Sequence, residues 1–175
     1  MTDYVQGDEN ALRIIVERWE RQIFAFLFRM LGSSEEAEDL CQDTFMKLIK
    51  AADRYQPNGK FQSWLFRIAG NQARSRLRRR KVLRWLPLSN DFDNTPDTGR
   101  DALEDLKGQE EQLAVRAALS RLPDRQRQAL ILKQYQDLSY QEIADAMEST
   151  VPSIQMLLHR AMTALRKDLA SWRDE

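Results

Sequence analysis

LSYQEIADAMESTVPSIQMLLHRAMTAL, residues 138–165, holds two short amphipathic segments separated by a three-residue break. Ser139 and Glu142 have the spacing at which a hydroxyl and a carboxylate satisfy free amides at a helix start. Ile143, Ala144 and Met147 then share one face. The second segment opens near Thr150 and Pro152, where a proline is tolerated because first-turn amides lack intrahelical partners. Ile154, Leu158, Ala161 and Leu165, spaced four, three and four, form its inner face. Two helices and a tight turn describe a helix-turn-helix, whose second helix enters a DNA major groove. A plain helical hairpin has the same periodicity. The outer face presents Gln155, Met156 and Leu157, where a DNA-reading helix would be expected to carry charge.

Outward from this stretch, apolar residues recur at three and four and strand-like alternation is missing, so an all-α chain is expected. From Ala11 to Leu31, the residues Leu12, Ile15, Trp19, Ile23, Phe26, Phe28 and Leu31 make a core-facing stripe. Gly32 reads as a helix stop, and Ser33 with Glu36 as the next start. The helix expected over 34–52 has Ala37, Leu40, Phe45, Leu48 and Ile49 on one face and Glu35, Glu38, Asp39, Gln42 and Asp43 on the other. YQPNGKF, 55–61, is a loop in which Pro57 fixes a dihedral and Asn58-Gly59 accept positive φ. A helix resumes near Phe61. Residues 87–105 are too poor in apolar side chains to pack and read as a flexible acidic linker. Further helices are expected at about 109–121 and 124–135, broken at LPDRQ. The whole is two small helical domains, 1–85 and 107–175, joined by a linker at 86–106, and 175 residues suffice for both.

Lys plus Arg equals Asp plus Glu at 27 each, but the charge is polarised along the chain. RSRLRRRKVLR, 74–84, has seven basic and no acidic residues, whereas 87–106 has six acidic and one basic. Cations so crowded repel one another unless a polyanion binds, and phosphates would supply it by counterion release. A solvated basic face is the alternative. Just upstream, Tyr55, Phe61 and Trp64 offer flat surfaces for stacking unpaired bases, or else belong to the core. A Pro-Asn-Gly loop beside aromatics and before the cations points to single-stranded or opened DNA.

One cysteine, Cys41, and one histidine, His159, exclude an internal disulfide and a zinc site of the usual ligand number. A reducing, cytoplasmic setting fits. No apolar run approaches the roughly 18 residues of a membrane span, and the first residues lack the basic stretch of a signal peptide. Phosphate-binding, dinucleotide, zinc-protease and serine-hydrolase signatures are missing, so neither catalysis nor a cofactor or metal is expected. Cys41 reads as a small apolar filler or as a lone redox-sensitive thiol.

AEDLCQDTFMKL (37–48), FQSWLFRIAGNQARSRLRRRK (61–81), LPDRQRQALIL (122–132) and LSYQEIADAM (138–147) together resemble bacterial RNA polymerase sigma factors. The resemblance is to the small two-domain extracytoplasmic-function (ECF) type of the sigma-70 family, in its order and spacing. It implies that Glu38, Asp39, Gln42 and Asp43 grip the β′ clamp of core RNA polymerase, with Phe45 and Leu48 inside. It implies that Tyr55, Asn58, Lys60, Phe61, Trp64 and Asn71 open the minus-ten promoter element and turn a base into a pocket. The cations Arg74, Arg78, Arg79, Arg80 and Lys81 would hold the phosphates there. The second domain would dock on the β flap and read the minus-thirty-five element through Ser153, Gln155, Met156, Leu157, Arg160 and Arg166. An anti-sigma factor is a further implied partner.

Ser75 stands where the family often has Asp, and PSIQMLL at 152–158 where it often has Gly-Thr-Val-Lys-Ser-Arg-Leu. Selectivity is therefore expected from Gln155 on adenine and from Met156 or Leu157 on thymine methyls. Packing of these apolar side chains on a protein partner is the alternative. A stand-alone helix-turn-helix regulator would have no need of the basic, aromatic region 37–81, and an RNA-binding nuclease would need a catalytic constellation.

Overall fold

The computed structural model describes residues 1, 4, 8–55, 59–85 and 106–173. Most of the expected linker 86–106, and Asn58, lie outside the described residues. Seven α-helices and no strand occur among those described: α1 Glu9–Leu31, α2 Ser34–Lys50, α3 Phe61–Trp85, α4 Leu106–Arg121, α5 Asp124–Tyr135, α6 Tyr140–Ala146 and α7 Val151–Arg173. A 3₁₀ turn, Ala52–Arg54, follows α2.

The punctuation is local chemistry. Asp8 starts α1 by accepting from the Asn10 amide at 2.9 Å. Gly32 ends it in the left-handed region, φ 73°, where a residue without Cβ costs least, and its amide donates to the Phe28 carbonyl. Ser33 starts α2 by accepting from the Glu36 amide at 3.3 Å. Only half of the expected box forms, because the Glu36 carboxylate turns to arginines of α3. At α6 both halves form: the Ser139 hydroxyl accepts from the Glu142 amide, and the Glu142 carboxylate accepts from the Ser139 amide. Of LPDRQ only Leu122 and Pro123 interrupt the helices. The turn after α6 places Glu148 at φ 49°, a left-handed backbone costing a non-glycine residue about 1 kcal/mol. Thr150 caps α7, which runs eight residues past the expected stretch.

In the N-terminal region α1, α2 and α3 bury Ile23, Phe26, Leu27, Met30, Leu48, Leu65 and Phe66. Phe26 and Phe66 meet edge to face at 5.3 Å. Each such side chain contributes about 1.5–3 kcal/mol by leaving water. In the C-terminal region Ile131, Leu132, Leu138, Ile143, Met147 and Ile154 form the counterpart.

The two regions pack against each other. α1 packs on α4 and α5, α3 packs on α6, and the buried residues form one continuous cluster. Arg127 of α5, almost fully buried, donates to the Met30 carbonyl at the end of α1 at 2.6 Å and to the carbonyls of Ser120 and Leu122. Burial pulls its pKa down, and the nearby Asp124 charge offsets part of that. Arg80 serves the neighbouring Leu31 carbonyl at 2.9 Å, so arginines from both regions satisfy the end of α1.

Candidate polymerase and promoter surfaces

Helix α2 turns its apolar face inward and leaves Glu35, Glu38, Asp39, Gln42 and Asp43 exposed. Phe45 and Leu48 are buried, as expected. Met46 lies on the same outer stripe, four residues after Gln42, and is 52% exposed. That spacing was open to the sequence and was missed. Cys41 is buried, with its thiol 3.7 Å from the Glu20 carbonyl. Burial, helped by the Glu20 charge, pushes its pKa up to about 11. A protonated, covered thiol suits the filler reading and disfavours the redox one.

Tyr55, Phe61 and Trp64 form one ring cluster, with Tyr55 5.0 Å from Trp64 and 5.8 Å from Phe61, and Trp19 of α1 5.9 Å from Phe61. The rings are half-buried, so core packing and an open face coexist. Beside them lies a cavity of about 350 Å³ lined by Arg54, Tyr55, Lys60, Ser63, Trp64, Arg67 and Asp145. The Ser63 hydroxyl is buried and finds no hydrogen-bond partner among the described residues.

Along α3 the cations divide. Arg78 and Arg79 face out. Arg80 and Arg76 both reach Glu36, so the cluster has a counter-charge that the local sequence does not contain. Lys81 pairs with Asp124 at 2.9 Å, and Arg74 donates to Gln128 and to the exposed Asn71. Burial lowers the Arg74 pKa, with the Arg125 charge acting in the same direction. Lys60 meets Asp145 at 2.9 Å, and Arg67, which the sequence reading omitted, meets Glu148 at 3.8 Å.

On α7, Ile154, Leu158 and Ala161 are buried, and Ser153, Gln155, Arg160 and Arg166 are exposed with Met156, itself 56% exposed. Leu157 departs from the expectation. Three residues after Ile154 and four before Ala161, it flanks the inner stripe and packs against the core.

Residues 15–82 match sigma-70 region 2 and residues 112–165 match sigma-70 region 4. The chain belongs to the sigma-70 family and is an ECF RNA polymerase sigma factor. It is 30% identical to the ECF RNA polymerase sigma factor SigW of Bacillus subtilis, over 94% of this chain and 91% of that one. It is also 30% identical to the RNA polymerase sigma-H factor of Pseudomonas aeruginosa, over 94% and 89%. Among solved structures it is similar to the sigma factor RpoE in complex with the anti-sigma factor NepR from Bartonella quintana, at 25% identity. The TM-score is 0.67, over 90% of this chain and 96% of that one. The fold is shared with CnrH, solved with the cytosolic domain of CnrY, at TM-score 0.71 and 22% identity over 97% and 94%. In this sigma factor the region 2 match falls on α1–α3 and the region 4 match on α4–α7. No described helix is long and apolar enough to cross a membrane.

Proposed function

We propose that this sigma factor binds core RNA polymerase through the outer face of α2, opens the minus-ten element with region 2 and reads the minus-thirty-five element with α7. Glu38, Asp39, Gln42 and Asp43 contact the β′ clamp, with Met46 as an apolar centre of the kind that anchors a desolvated interface. Opened minus-ten DNA lies along Tyr55, Phe61 and Trp64, a base enters the cavity at the buried Ser63 hydroxyl, and Asn58, Lys60, Asn71, Arg74, Arg78, Arg79 and Lys81 engage the strand. Region 4 docks on the β flap, and Ser153, Gln155 and Met156 meet base edges while Arg160 and Arg166 meet phosphates. Nucleotidyl transfer belongs to the polymerase, and the sigma factor acts in the cytoplasm, where an anti-sigma factor restrains it. The protein solved with NepR supports that last point.

The observation carrying the reading is the joint occurrence, on one chain of the sigma family, of an exposed acidic clamp-like face and an aromatic, cation-flanked cavity. Run-off transcription from a promoter library with purified core tests it. Wild type is expected to direct initiation at a defined promoter set, and Asp39→Arg with Gln42→Ala to lose core binding while keeping helical content. Unimpaired core binding by that double variant would refute the clamp assignment.

A further inference from the structure

Helix α2 carries exposed and buried residues at once, and the buried ones decide which way the others point. At 3.6 residues per turn, Thr44 lies about 160° around the helix from Gln42 and from Met46, and about 180° from Glu35. It therefore occupies the pole opposite the exposed stripe. Its side chain is fully buried although polar. The hydroxyl donates to the Leu40 carbonyl one turn back at 2.6 Å and accepts from the side-chain amide of Gln72 on α3 at 2.8 Å. Gln72 is itself buried. Most other buried residues of the two helices are apolar, among them Leu40, Leu48, Leu65, Ala69 and Ala73. Apolar contact has no direction, so a small rotation or slide of α2 costs it little. A hydrogen bond weakens steeply once its donor is misaligned.

We infer that Gln72 and Thr44 are positioning residues for polymerase binding: the bond between them fixes the rotation of α2 on α3, and with it the angle at which Glu38, Asp39, Gln42 and Met46 meet the partner. This rests on the clamp reading proposed above. The pairs of Glu36 with Arg76 and Arg80 hold the first turn of α2, where they are partly exposed and screened by water. The buried bond holds the helix about 12 Å further along its axis. A buried polar pair adds little stability over apolar groups of the same shape, and its contribution is to specify one arrangement of the interior.

The full chain is compared with two variants. Thr44→Val with Gln72→Met replaces both partners by apolar groups of nearly the same shape, whereas Thr44→Ser keeps the hydroxyl and loses the methyl. The apolar variant is expected to melt close to the wild-type temperature. It binds core RNA polymerase about tenfold more weakly, as when roughly one molecule in ten holds the stripe at the right angle. In the free apolar variant the Met46 methyl signal, followed by NMR, splits or broadens as α2 takes more than one setting. Thr44→Ser is expected to do the reverse. It melts earlier, because a buried methyl is gone, and it binds core as wild type does with a single Met46 signal. Core affinity that follows melting temperature across the three proteins would make the pair structural only and overturn the inference. So would wild-type affinity in the apolar variant, or weaker binding with an unaltered Met46 signal.

Asp39→Arg with Gln42→Ala, measured in the same binding assay, separates this from the reading beneath it. Normal core binding by that variant would refute the clamp assignment and the inference with it. Its failure to bind, together with wild-type affinity in the apolar variant, would refute the inference alone.

Discussion

Helices α3 and α7 both carry residues assigned to DNA, and they meet the rest of the chain in opposite ways. On α3 most of the cations are already engaged: Arg76 and Arg80 by Glu36, Lys81 by Asp124, Arg74 by Gln128. On α7 the first two turns carry no charged side chain, and Gln155 and Met156 stand exposed there above a buried stripe. Of these two helices, the one with the denser run of charge has much of that charge engaged by the fold itself. A basic run therefore overstates what remains for a ligand, and a nearly neutral face can be wholly available.

The strongest break in that comparison is expected at Arg127, which ties region 4 to the end of α1. Arg127→Ala leaves carbonyls of Met30, Ser120 and Leu122 without their donor and should cost about 3 kcal/mol in chemical denaturation. A loss under about 1 kcal/mol would mean that water replaces the guanidinium and that the regions are not tied there. On α7, Gln155→Ala should relax preference at one minus-thirty-five position by about 1–3 kcal/mol, with core affinity unchanged. Selection of promoter sequences by both proteins measures it, and identical preferences would move this face from DNA to a protein partner.

Arg80 and its neighbours sharpen the contrast within α3. Arg80→Ala should destabilise region 2 by about 1.5 kcal/mol, since charged hydrogen bonds to Glu36 and the Leu31 carbonyl disappear. Arg78→Ala with Arg79→Ala should leave stability within about 0.5 kcal/mol and instead reduce the salt slope of promoter binding by about two. Equal melting temperatures for the two variants would erase the division of the cluster. The smallest effect belongs to the cap of α6. Hydrogen bonds from Ser139 hold the Glu142 carboxyl below its usual range. Because the folded value is the depressed one, this contribution is present above the ordinary carboxylate pKa and is lost as pH falls through the folded value. Ser139→Ala should raise the Glu142 pKa in an NMR titration and cost about 1 kcal/mol.

The legible parts of the chain are those whose partners are close in sequence. Helix limits followed from Gly32, Ser33, Ser139 and Thr150 because a cap is satisfied within three or four residues. The exposed acids of α2 and the buried stripe of α7 followed from periodicity alone. Leu157 was misjudged by one flank of that same stripe. What stayed hidden was long-range pairing: Glu36 lies 44 residues from Arg80, and Asp124 lies 43 from Lys81. Nothing in the local pattern of RSRLRRRK distinguishes the arginine that turns inward from those that face out. The residues of the cavity show the same limit. Its aromatic wall was read from the sequence, whereas Asp145 joined Ser63 and Arg67 of α3 only through packing of α3 on α6.

The bond from Arg127 to Met30 spans 97 residues of chain, which gives it a consequence in time. A ribosome adding roughly 5–20 residues per second makes Arg127 about 5–20 s after Met30. Helices α1 to α3 are complete before any of Asp124, Asp145 or Glu148 exists. During that interval Lys60, Arg67 and Lys81 have no carboxylate of region 4 to pair with, so these three ion pairs are among the last contacts of region 2 to form.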